Sequence, residues 1–132
     1  MNLAFLLTPV ADVVWLPLAA TVREAVDSLR AWRYTAVPIL DPEGRYSGTV
    51  TAADLLFHIV EVGQEGPLAE VRQRREHVAV SVDTDVRSVL AVAADQNFVP
   101  VIDSRGVLMG LVTRRAILQH VERELSDEVL GT

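Results

Sequence analysis

Two patterns of hydrophobic and polar positions occur along this chain. A stretch with helical spacing is followed by a short β-rich run, and this order occurs twice. From Val22 to Arg33, apolar residues recur every three or four positions with charged residues between them, which predicts an amphipathic helix. The same spacing returns from Val86 onward. A short β-rich run follows each helix, at Ala36 to Leu40 and at Phe98 to Ile102. The pattern therefore predicts a helix and then a strand in each half of the chain.

Turn residues follow each of these strands and predict two β-hairpins. Asp41-Pro42-Glu43-Gly44 and Asp103-Ser104-Arg105-Gly106 both begin with Asp and end with Gly, as tight turns favour. The remaining predicted elements are return strands at Tyr46 to Val50 and Val107 to Val112, helices that start at Thr51 and Thr113, and short first strands near Val13-Val14 and Val78 to Val80. Each half thus has the order strand, helix, strand, strand, helix, which predicts an α/β fold.

The two halves are one sequence pattern written twice. Val37 to Leu56 and Val99 to Leu118 align 62 positions apart without a gap. The identical pairs are Val37/Val99, Pro38/Pro100, Asp41/Asp103, Gly44/Gly106, Gly48/Gly110, Val50/Val112, Thr51/Thr113 and Leu56/Leu118. These are turn, strand and helix-start positions, so the repeat preserves a backbone. In a chain of 132 residues, two units of about 60 residues are expected to share one core, as domains 1–66 and 67–132.

Composition and charge narrow the range of functions. A net charge of −6 opposes binding to nucleic acid, and all twelve basic residues are Arg, which suits contacts with phosphate or carboxylate. There is no Cys and the three His residues are scattered singly, so neither a metal site nor a catalytic constellation is predicted. Pro9 and Asp12 interrupt the apolar N-terminal run, and no positive residue precedes Arg23, which opposes a signal peptide or membrane span. We therefore expect a soluble, cytoplasmic protein that is not an enzyme.

The repeated strings resemble those of tandem cystathionine-β-synthase-type (CBS) domains, the regulatory unit often called a Bateman module. They are Val37-Pro38-Ile39-Leu40-Asp41 with Gly44 and Gly48-Thr49-Val50-Thr51-Ala52-Ala53-Asp54, and Val99-Pro100-Val101-Ile102-Asp103 with Gly106 and Gly110-Leu111-Val112-Thr113. The resemblance covers nearly the whole chain. It implies a CBS-domain pair around a pseudo-twofold axis, with two clefts between the sheets. It also implies an adenine nucleotide as ligand, no prosthetic group, and a homodimer formed through the helices.

Thr51 and Asp54 are the first candidates for ligand contact. A Gly-x-x-Thr-x-x-Asp run at a strand-to-helix junction puts a hydroxyl and a carboxylate in the first helical turn, where Asp can accept ribose hydroxyl protons and free N–H groups can face a phosphate. The same two residues also form a variant of the capping box, and one residue can do both. Thr113 keeps the cap in the second repeat, but Ala116 replaces the Asp. We therefore expect the cleft with Asp54 to be the better mononucleotide site.

Arg114 and Arg115 follow Thr113 at the predicted start of the last helix. Two guanidinium groups there oppose the positive end of the helix dipole, and an anion would reverse that penalty. The alternative is that both point into solvent or pair with acids such as Asp83 or Asp85. If the first interpretation holds, substituting either Arg by Ala should weaken binding of a phosphate-rich ligand without destabilising the unliganded protein.

A narrower resemblance concerns stand-alone CBS-pair proteins of Gram-positive bacteria that bind cyclic di-AMP and relay its level to metabolic enzymes. It rests on Tyr34-Thr35-Ala36-Val37-Pro38, Phe98-Val99 and Thr113-Arg114-Arg115. It implies that Arg114 and Arg115 hold the two phosphates, and that Tyr34, Thr35 and Ala36 line an adenine pocket. The binding residues that the resemblance implies are Val14, Tyr34, Thr35, Ala36, Val37, Pro38, Thr51, Asp54, Phe98, Val99, Pro100, Thr113, Arg114 and Arg115.

Three functions remain open on these grounds. The first is a cyclic di-AMP sensor that signals to a partner enzyme or transporter, and the second is a regulator that responds to AMP, ADP or ATP. The third is a ligand-free dimerisation or interaction module, which the presence of Thr51 and Thr113 disfavours.

Two further groups of residues have structural interpretations. The basic run Arg72, Arg74 and Arg75 alternates with acids and is interpreted as a solvated helical face or as ion pairs at a dimer edge. Trp15 and Trp32 are expected in the core or at an interface rather than stacked on a base.

Overall fold

The computed structural model describes residues 3–32 and 34–130 and contains the predicted order of elements in both repeats. The strands are β1 (Thr8–Pro9), β2 (Leu16–Pro17), β3 (Ala36–Leu40), β4 (Tyr46–Thr51), β5 (Val80–Ser81), β6 (Phe98–Ile102) and β7 (Leu108–Thr113). The α-helices are α1 (Val22–Trp32), α2 (Ala52–Glu61), α3 (Val86–Asp95) and α4 (Arg114–Leu130). Short 3₁₀-helices lie at Leu3–Leu6, Val10–Asp12 and Leu68–Glu70. The mixed α/β class is therefore confirmed.

The chain forms two compact units, and each of them is made of more than one segment of the sequence. The first-repeat unit comprises residues 14–77 and 104–108, and the second-repeat unit comprises residues 3–13, 78–103 and 109–130. The segment 104–108 belongs to the first-repeat unit because Leu108 N–H donates to the Gly44 carbonyl and Tyr46 N–H donates to the Gly106 carbonyl, each at 3.0 Å. The expected domain boundary between residues 66 and 67 stays a prediction.

The first-repeat unit is built on a three-stranded sheet with the order β2-β3-β4. β2 runs parallel to β3, and β3 runs antiparallel to β4, with Ala36 opposite Thr51. The sheet and the apolar stripes of α1 and α2 enclose one cluster of buried residues: Leu16, Ala20, Val22, Ala25, Leu29, Val37, Ile39, Val50, Leu55, Leu68 and Val71. The last two residues come from the segment after α2, so that segment helps to close the core.

The second-repeat unit is built on a four-stranded sheet with the order β1-β7-β6-β5. Its edge strand β1 comes from the start of the chain and pairs antiparallel with β7, with Thr8 opposite Leu111. Leu3 and Leu6 are buried in the core of this unit, together with Val80, Val89, Ala93, Val99, Val101, Val112 and Ile117. Each unit therefore has its own cluster of buried apolar residues, whereas chain length alone favours one shared core.

Some predicted elements differ from the structure. The first strand is not at Val13-Val14 but at Leu16–Pro17, because a 3₁₀-helix ends at Asp12 and Leu16 is the residue that pairs with Ile39. The predicted end of the first helix at Arg33 lies outside the described residues. The helical face predicted around Arg72 is wrong, since residues 71–79 contain no regular element.

The two tryptophans are not core residues. Trp15 is 44% exposed and Trp32 is 60% exposed, so the core half of that expectation is wrong. A role at an interface stays a prediction for both.

Candidate functional site

Three of the predicted binding residues of the first repeat, Thr35, Ala36 and Thr51, lie together at one end of its sheet. Ala36 begins β3 and Thr51 ends β4, and the antiparallel register sets them side by side. The backbone N–H of Ala52 donates to the Thr35 carbonyl at 2.9 Å, which fixes the loop before β3 against the start of α2. Tyr34 is 47% exposed there. The exposed Tyr34 therefore directly precedes the residue whose carbonyl is bonded to the start of α2.

Other residues of the predicted adenine pocket lie deeper. Val37 and Pro38 are fully buried and lie opposite Val50 and Thr49 in the β3–β4 pairing. Val14 is half-buried and packs against the apolar cluster of this unit. These side chains support the wall of the sheet, and direct ligand contact by any of them stays a prediction.

Thr51 and Asp54 form the predicted capping box at the start of α2. The Thr51 hydroxyl accepts a hydrogen bond from Asp54 N–H, and one Asp54 carboxylate oxygen accepts from Thr51 N–H, both at 3.0 Å. The capping interpretation is confirmed. The other oxygen of Asp54 accepts from the backbone N–H of Arg74 at 3.0 Å, and the Asp54 side chain is buried. Its contact with ribose stays a prediction, which would use the remaining lone pairs of the carboxylate.

A polar cavity of about 310 Å³ lies beside Asp54, between one face of α2 and the segment that follows it. Its lining residues are Asp54, His58, Glu61, Val62, Glu70, Arg72 and Arg74. His58 is 8% exposed, and its Nε2 atom has no hydrogen-bond partner within the described part of the chain. Sequence reasoning assigned no role to His58. The signal for it was its position four residues after Asp54, which places both on one helix face.

The second repeat repeats the cap but not the carboxylate. The Thr113 hydroxyl accepts a hydrogen bond from Ala116 N–H at 3.1 Å, as the sequence predicts. Phe98, Val99 and Pro100 begin β6 and are buried in the sheet. The buried side chain of Gln96 fixes the start of β6. Its amide nitrogen donates to the carbonyls of Phe98 and Val78, and its amide oxygen accepts from Val78 N–H, all at 2.8–2.9 Å.

Arg114 and Arg115 have different surroundings, although they are adjacent. Arg114 Nε donates to the Ala93 carbonyl at 2.8 Å, and Nη2 lies 3.5 Å from the Ala94 carbonyl oxygen. Arg115 is exposed, and no hydrogen bond or ion pair to it is found among residues 3–32 and 34–130. The two arginines therefore differ in the unliganded protein, and a contact of either with phosphate stays a prediction. Sequence reasoning missed the contact with the end of α3 because it joins residues about twenty positions apart.

The predicted pairing of these arginines with Asp83 or Asp85 is not found among the described residues. Asp85 is instead the N-cap of α3 and accepts a hydrogen bond from Ser88 N–H at 3.2 Å. Its contacts with Ser88 hold the pKa of the Asp85 carboxyl below its ordinary value.

The described residues contain neither a metal-binding cluster nor a membrane-spanning helix. No group of three or more His, Asp or Glu side chains within the described ranges is placed to hold a metal ion. None of the helices described is both long enough and apolar enough to cross a membrane.

With this geometry in place, comparison with known proteins identifies the family. The sequence profile of the CBS domain matches residues 7–61 and again residues 68–123. The two matches cover most of the chain and coincide with the two repeats. The protein therefore belongs to the CBS domain family, and its fold is that of a tandem CBS pair.

One curated protein and two solved structures are similar to this chain. The magnesium transporter MgtE of Thermus thermophilus is 30% identical over 93 residues, which are 69% of this chain and 20% of MgtE. The CbpB protein of Listeria monocytogenes, in complex with c-di-AMP, is 25% identical, with a TM-score of 0.82 over 93% of this chain and 96% of that one. Another CbpB complex with c-di-AMP has a TM-score of 0.87 over 98% of this chain and 89% of that one. At 20% identity, this last match shows the fold alone.

The two kinds of relative differ in size. The chain spans about a fifth of the length of the curated relatives that it matches, but most of the length of the CbpB chains. The similarity to CbpB of Listeria monocytogenes confirms the resemblance to stand-alone CBS pairs of Gram-positive bacteria.

Proposed function

We propose that the protein is a non-enzymatic regulatory module that binds an adenine nucleotide and signals its level to a partner protein. The family supports this proposal, since two matches to the CBS domain account for most of the chain. The similarity to Listeria CbpB, whose structure holds c-di-AMP, supports cyclic di-AMP as the ligand. The partner is a regulated enzyme or transporter, and the protein acts in the cytoplasm.

The ligand assignment depends on the exposure of Arg115 and on its lack of a partner among the described residues. Its guanidinium group is exposed at the start of α4, in a first turn that has no acidic residue. No partner for it lies within the described part of the chain. A cation held at a helix N-terminus without an acid is unfavourable on its own, and a phosphate would offset both the charge and the dipole. Cyclic di-AMP brings two phosphates, and Arg115 can bind one of them.

A second ligand class is favoured by one observation in the first repeat. Asp54 lies in the wall of a cavity of about 310 Å³ that also has Arg72 and Arg74 around it. A carboxylate together with guanidinium groups matches the ribose and phosphate of a mononucleotide. AMP, ADP or ATP is therefore the alternative ligand, bound in the first repeat.

The assembly that we propose is a homodimer formed through the helices. Large apolar side chains are exposed on α2 and α4, namely Leu56, Val60, Leu118, Val121 and Leu125. Exposed apolar surface of this kind is typical of an interface. Light scattering at micromolar concentration should give twice the chain mass of 14.5 kDa. A mass of one chain would contradict the dimer.

Calorimetric titration with cyclic di-AMP, AMP, ADP and ATP tests the ligand assignment. We expect cyclic di-AMP to bind most tightly, and Arg115→Ala to weaken it by about 1.5–3 kcal/mol, the value of a hydrogen bond to a charged group. Arg72→Ala is the matched control, because it removes an exposed arginine of the first repeat. Tight binding of AMP or ATP that is weakened by Arg72→Ala but not by Arg115→Ala would favour the alternative ligand. Absence of heat with all four nucleotides would contradict both assignments.

A further inference from the structure

The C-terminal end of α3 needs partners that α3 itself does not supply. The last four carbonyl groups of an α-helix have no N–H donors within the helix. α3 has no basic residue in its last turn and ends at Asp95, whose negative charge is unfavourable at that end of the helix dipole. α1, in contrast, has Arg30 in its last turn. The second repeat must therefore stabilise this helix end in another way.

Arg114 stabilises this helix end from the start of α4. Its Nε atom donates to the Ala93 carbonyl at 2.8 Å, and its Nη2 atom lies near the Ala94 carbonyl oxygen. The cation thus occupies the negative end of the α3 dipole. At the matching position of the first repeat stands Ala52, which cannot do this. The stretch from Val86 to Pro100 is also two residues shorter than its counterpart from Val22 to Pro38. The connection from α3 to β6 is therefore short.

The residues held by this contact lead directly into the proposed binding residues. Gln96 follows α3, and its side chain fixes the Phe98 carbonyl and the backbone of Val78. Arg114 therefore holds one end of the α3–β6 turn, and Gln96 holds the other. The turn ends at Phe98, where the proposed nucleotide-binding residues of this repeat begin.

We infer that Arg114 is a positioning residue for the proposed nucleotide site of the second repeat, while Arg115 alone contacts the phosphate. This inference rests on the proposed function. Arg114 acts by holding the end of α3 and the start of β6 in place, so its effect on the ligand is indirect. Arg115 has no structural partner among the described residues and is free to turn toward an anion.

Paired variants separate these two roles. Arg114→Ala should lower the melting temperature by about 4 °C, the shift expected for one lost helix-end contact in a domain of this size. It should also speed hydrogen exchange in residues 93–98 and weaken cyclic di-AMP binding about tenfold. Arg114→Lys keeps a cation and one donor at the helix end, so it should restore most of the melting temperature and of the affinity. Arg115→Ala should leave the melting temperature and the exchange unchanged, yet weaken binding by about tenfold or more.

Salt dependence gives a readout that a purely structural role would not change. A direct contact between a guanidinium group and a phosphate is screened by salt, whereas a positioning effect is not. Affinity for cyclic di-AMP between low and high salt should therefore fall less steeply in Arg115→Ala than in the wild type. Arg114→Ala should keep the wild-type salt dependence at a lower affinity.

Three outcomes decide the inference. It is supported if Arg114→Ala shows faster exchange in residues 93–98 and weaker binding with unchanged salt dependence. The inference is overturned if Arg114→Ala binds cyclic di-AMP like the wild type. It is also overturned if the affinity of Arg114→Ala no longer depends on salt while the stability of this variant is unchanged. Failure of the wild type to bind any adenine nucleotide would instead contradict the proposed function, and the exchange data would then show separately whether Arg114 holds the α3–β6 turn.

Discussion

The carboxylate of Asp54 and the backbone N–H of Arg74 are joined by a hydrogen bond of 3.0 Å, which fastens the start of α2 to the segment that follows the helix. The second carboxylate oxygen accepts from Thr51 N–H at the same distance. Asp54 is only 3% exposed. One buried carboxylate therefore satisfies two backbone donors that come from different parts of the first-repeat unit.

Substituting Asp54 by Ala should destabilise the protein as well as weaken mononucleotide binding. Each N–H group left without an acceptor in a buried place costs about 1–3 kcal/mol, so we expect a loss of about 2–4 kcal/mol in the free energy of unfolding. Urea unfolding measures this loss. Asp54→Asn keeps one carbonyl oxygen and should lose about half as much. A midpoint equal to that of the wild type for Asp54→Ala would mean that water replaces the carboxylate at both donors.

Arg74 adds a second contact between the same two segments. Its guanidinium carbon lies 3.8 Å from the centroid of the Phe57 ring, and its Nη2 atom lies 3.4 Å from a Glu61 oxygen. The ion pair is half exposed and worth little, whereas the contact with the ring contributes about 0.5–1 kcal/mol. Arg74→Ala should therefore lower the free energy of unfolding by about 1 kcal/mol.

Arg72→Ala is the matched control for Arg74→Ala, since Arg72 is exposed and has no partner found among the described residues. Its effect on unfolding should stay within about 0.5 kcal/mol. Equal effects of the two substitutions would show that Arg74 is held in place by the general field of the nearby acids rather than by Phe57.

The parts of the fold that the sequence predicted are those determined by local pattern. Strands β3 and β6 begin and end at the predicted residues, because a β-rich run between a helix and a turn has sharp signals at both ends. Thr51 and Thr113 act as predicted, since a helix cap depends on residues three positions apart. Neither prediction required knowledge of the tertiary structure.

The parts that the sequence did not predict depend on contacts between distant residues. A periodic pattern shows which helix face is buried but not which element covers it. It could not show that Thr8 pairs with Leu111, or that Arg114 contacts the end of α3. The expectation that Arg114→Ala leaves the unliganded protein as stable as before followed from the dipole of its own helix. The structure reverses that expectation for Arg114, because the same cation stabilises the opposite end of another helix.

Tyr46 should make stability depend on pH in the alkaline range. Its hydroxyl lies 2.6 Å from the Thr49 hydroxyl, and burial raises the pKa of Tyr46 from 10.0 to about 12. Because the folded protein holds the phenol proton more tightly than the unfolded chain, this contribution is fully present below pH 10.0. It is lost as the pH rises toward about 12.

Tyr46→Phe removes the titrating group and is therefore the control for the wild type. The wild type should lose unfolding free energy more steeply than Tyr46→Phe between pH 10 and 12, in urea unfolding series at several pH values. At neutral pH, Tyr46→Phe should be less stable by about 1 kcal/mol, since Thr49 loses its partner. Parallel stability curves for the two proteins would show that the phenol of Tyr46 reaches water in the folded state.

Gly110 controls whether the start of the chain can join the second-repeat unit. It lies opposite Pro9 in the β1–β7 pairing, and a Cβ at this position would clash with the Thr8 carbonyl and touch the Leu7 side chain at 3.0 Å. The cost is steric, because Gly110 is not among the glycines with positive φ. Relief of the clash would move β1 away from β7 and loosen the buried Leu3 and Leu6 beside it.

We therefore expect Gly110→Ala to lower the free energy of unfolding by about 2–4 kcal/mol and to speed hydrogen exchange in residues 3–13. Gly63→Ala is the matched control, since Gly63 has a φ of 136° but nothing within 4 Å of an added Cβ. It should cost about 1 kcal/mol through backbone strain and leave exchange in residues 3–13 unchanged. If Gly110→Ala behaved like Gly63→Ala in both measurements, β1 would not be paired with β7 in solution. The second-repeat unit would then have to form its core without Leu3 and Leu6.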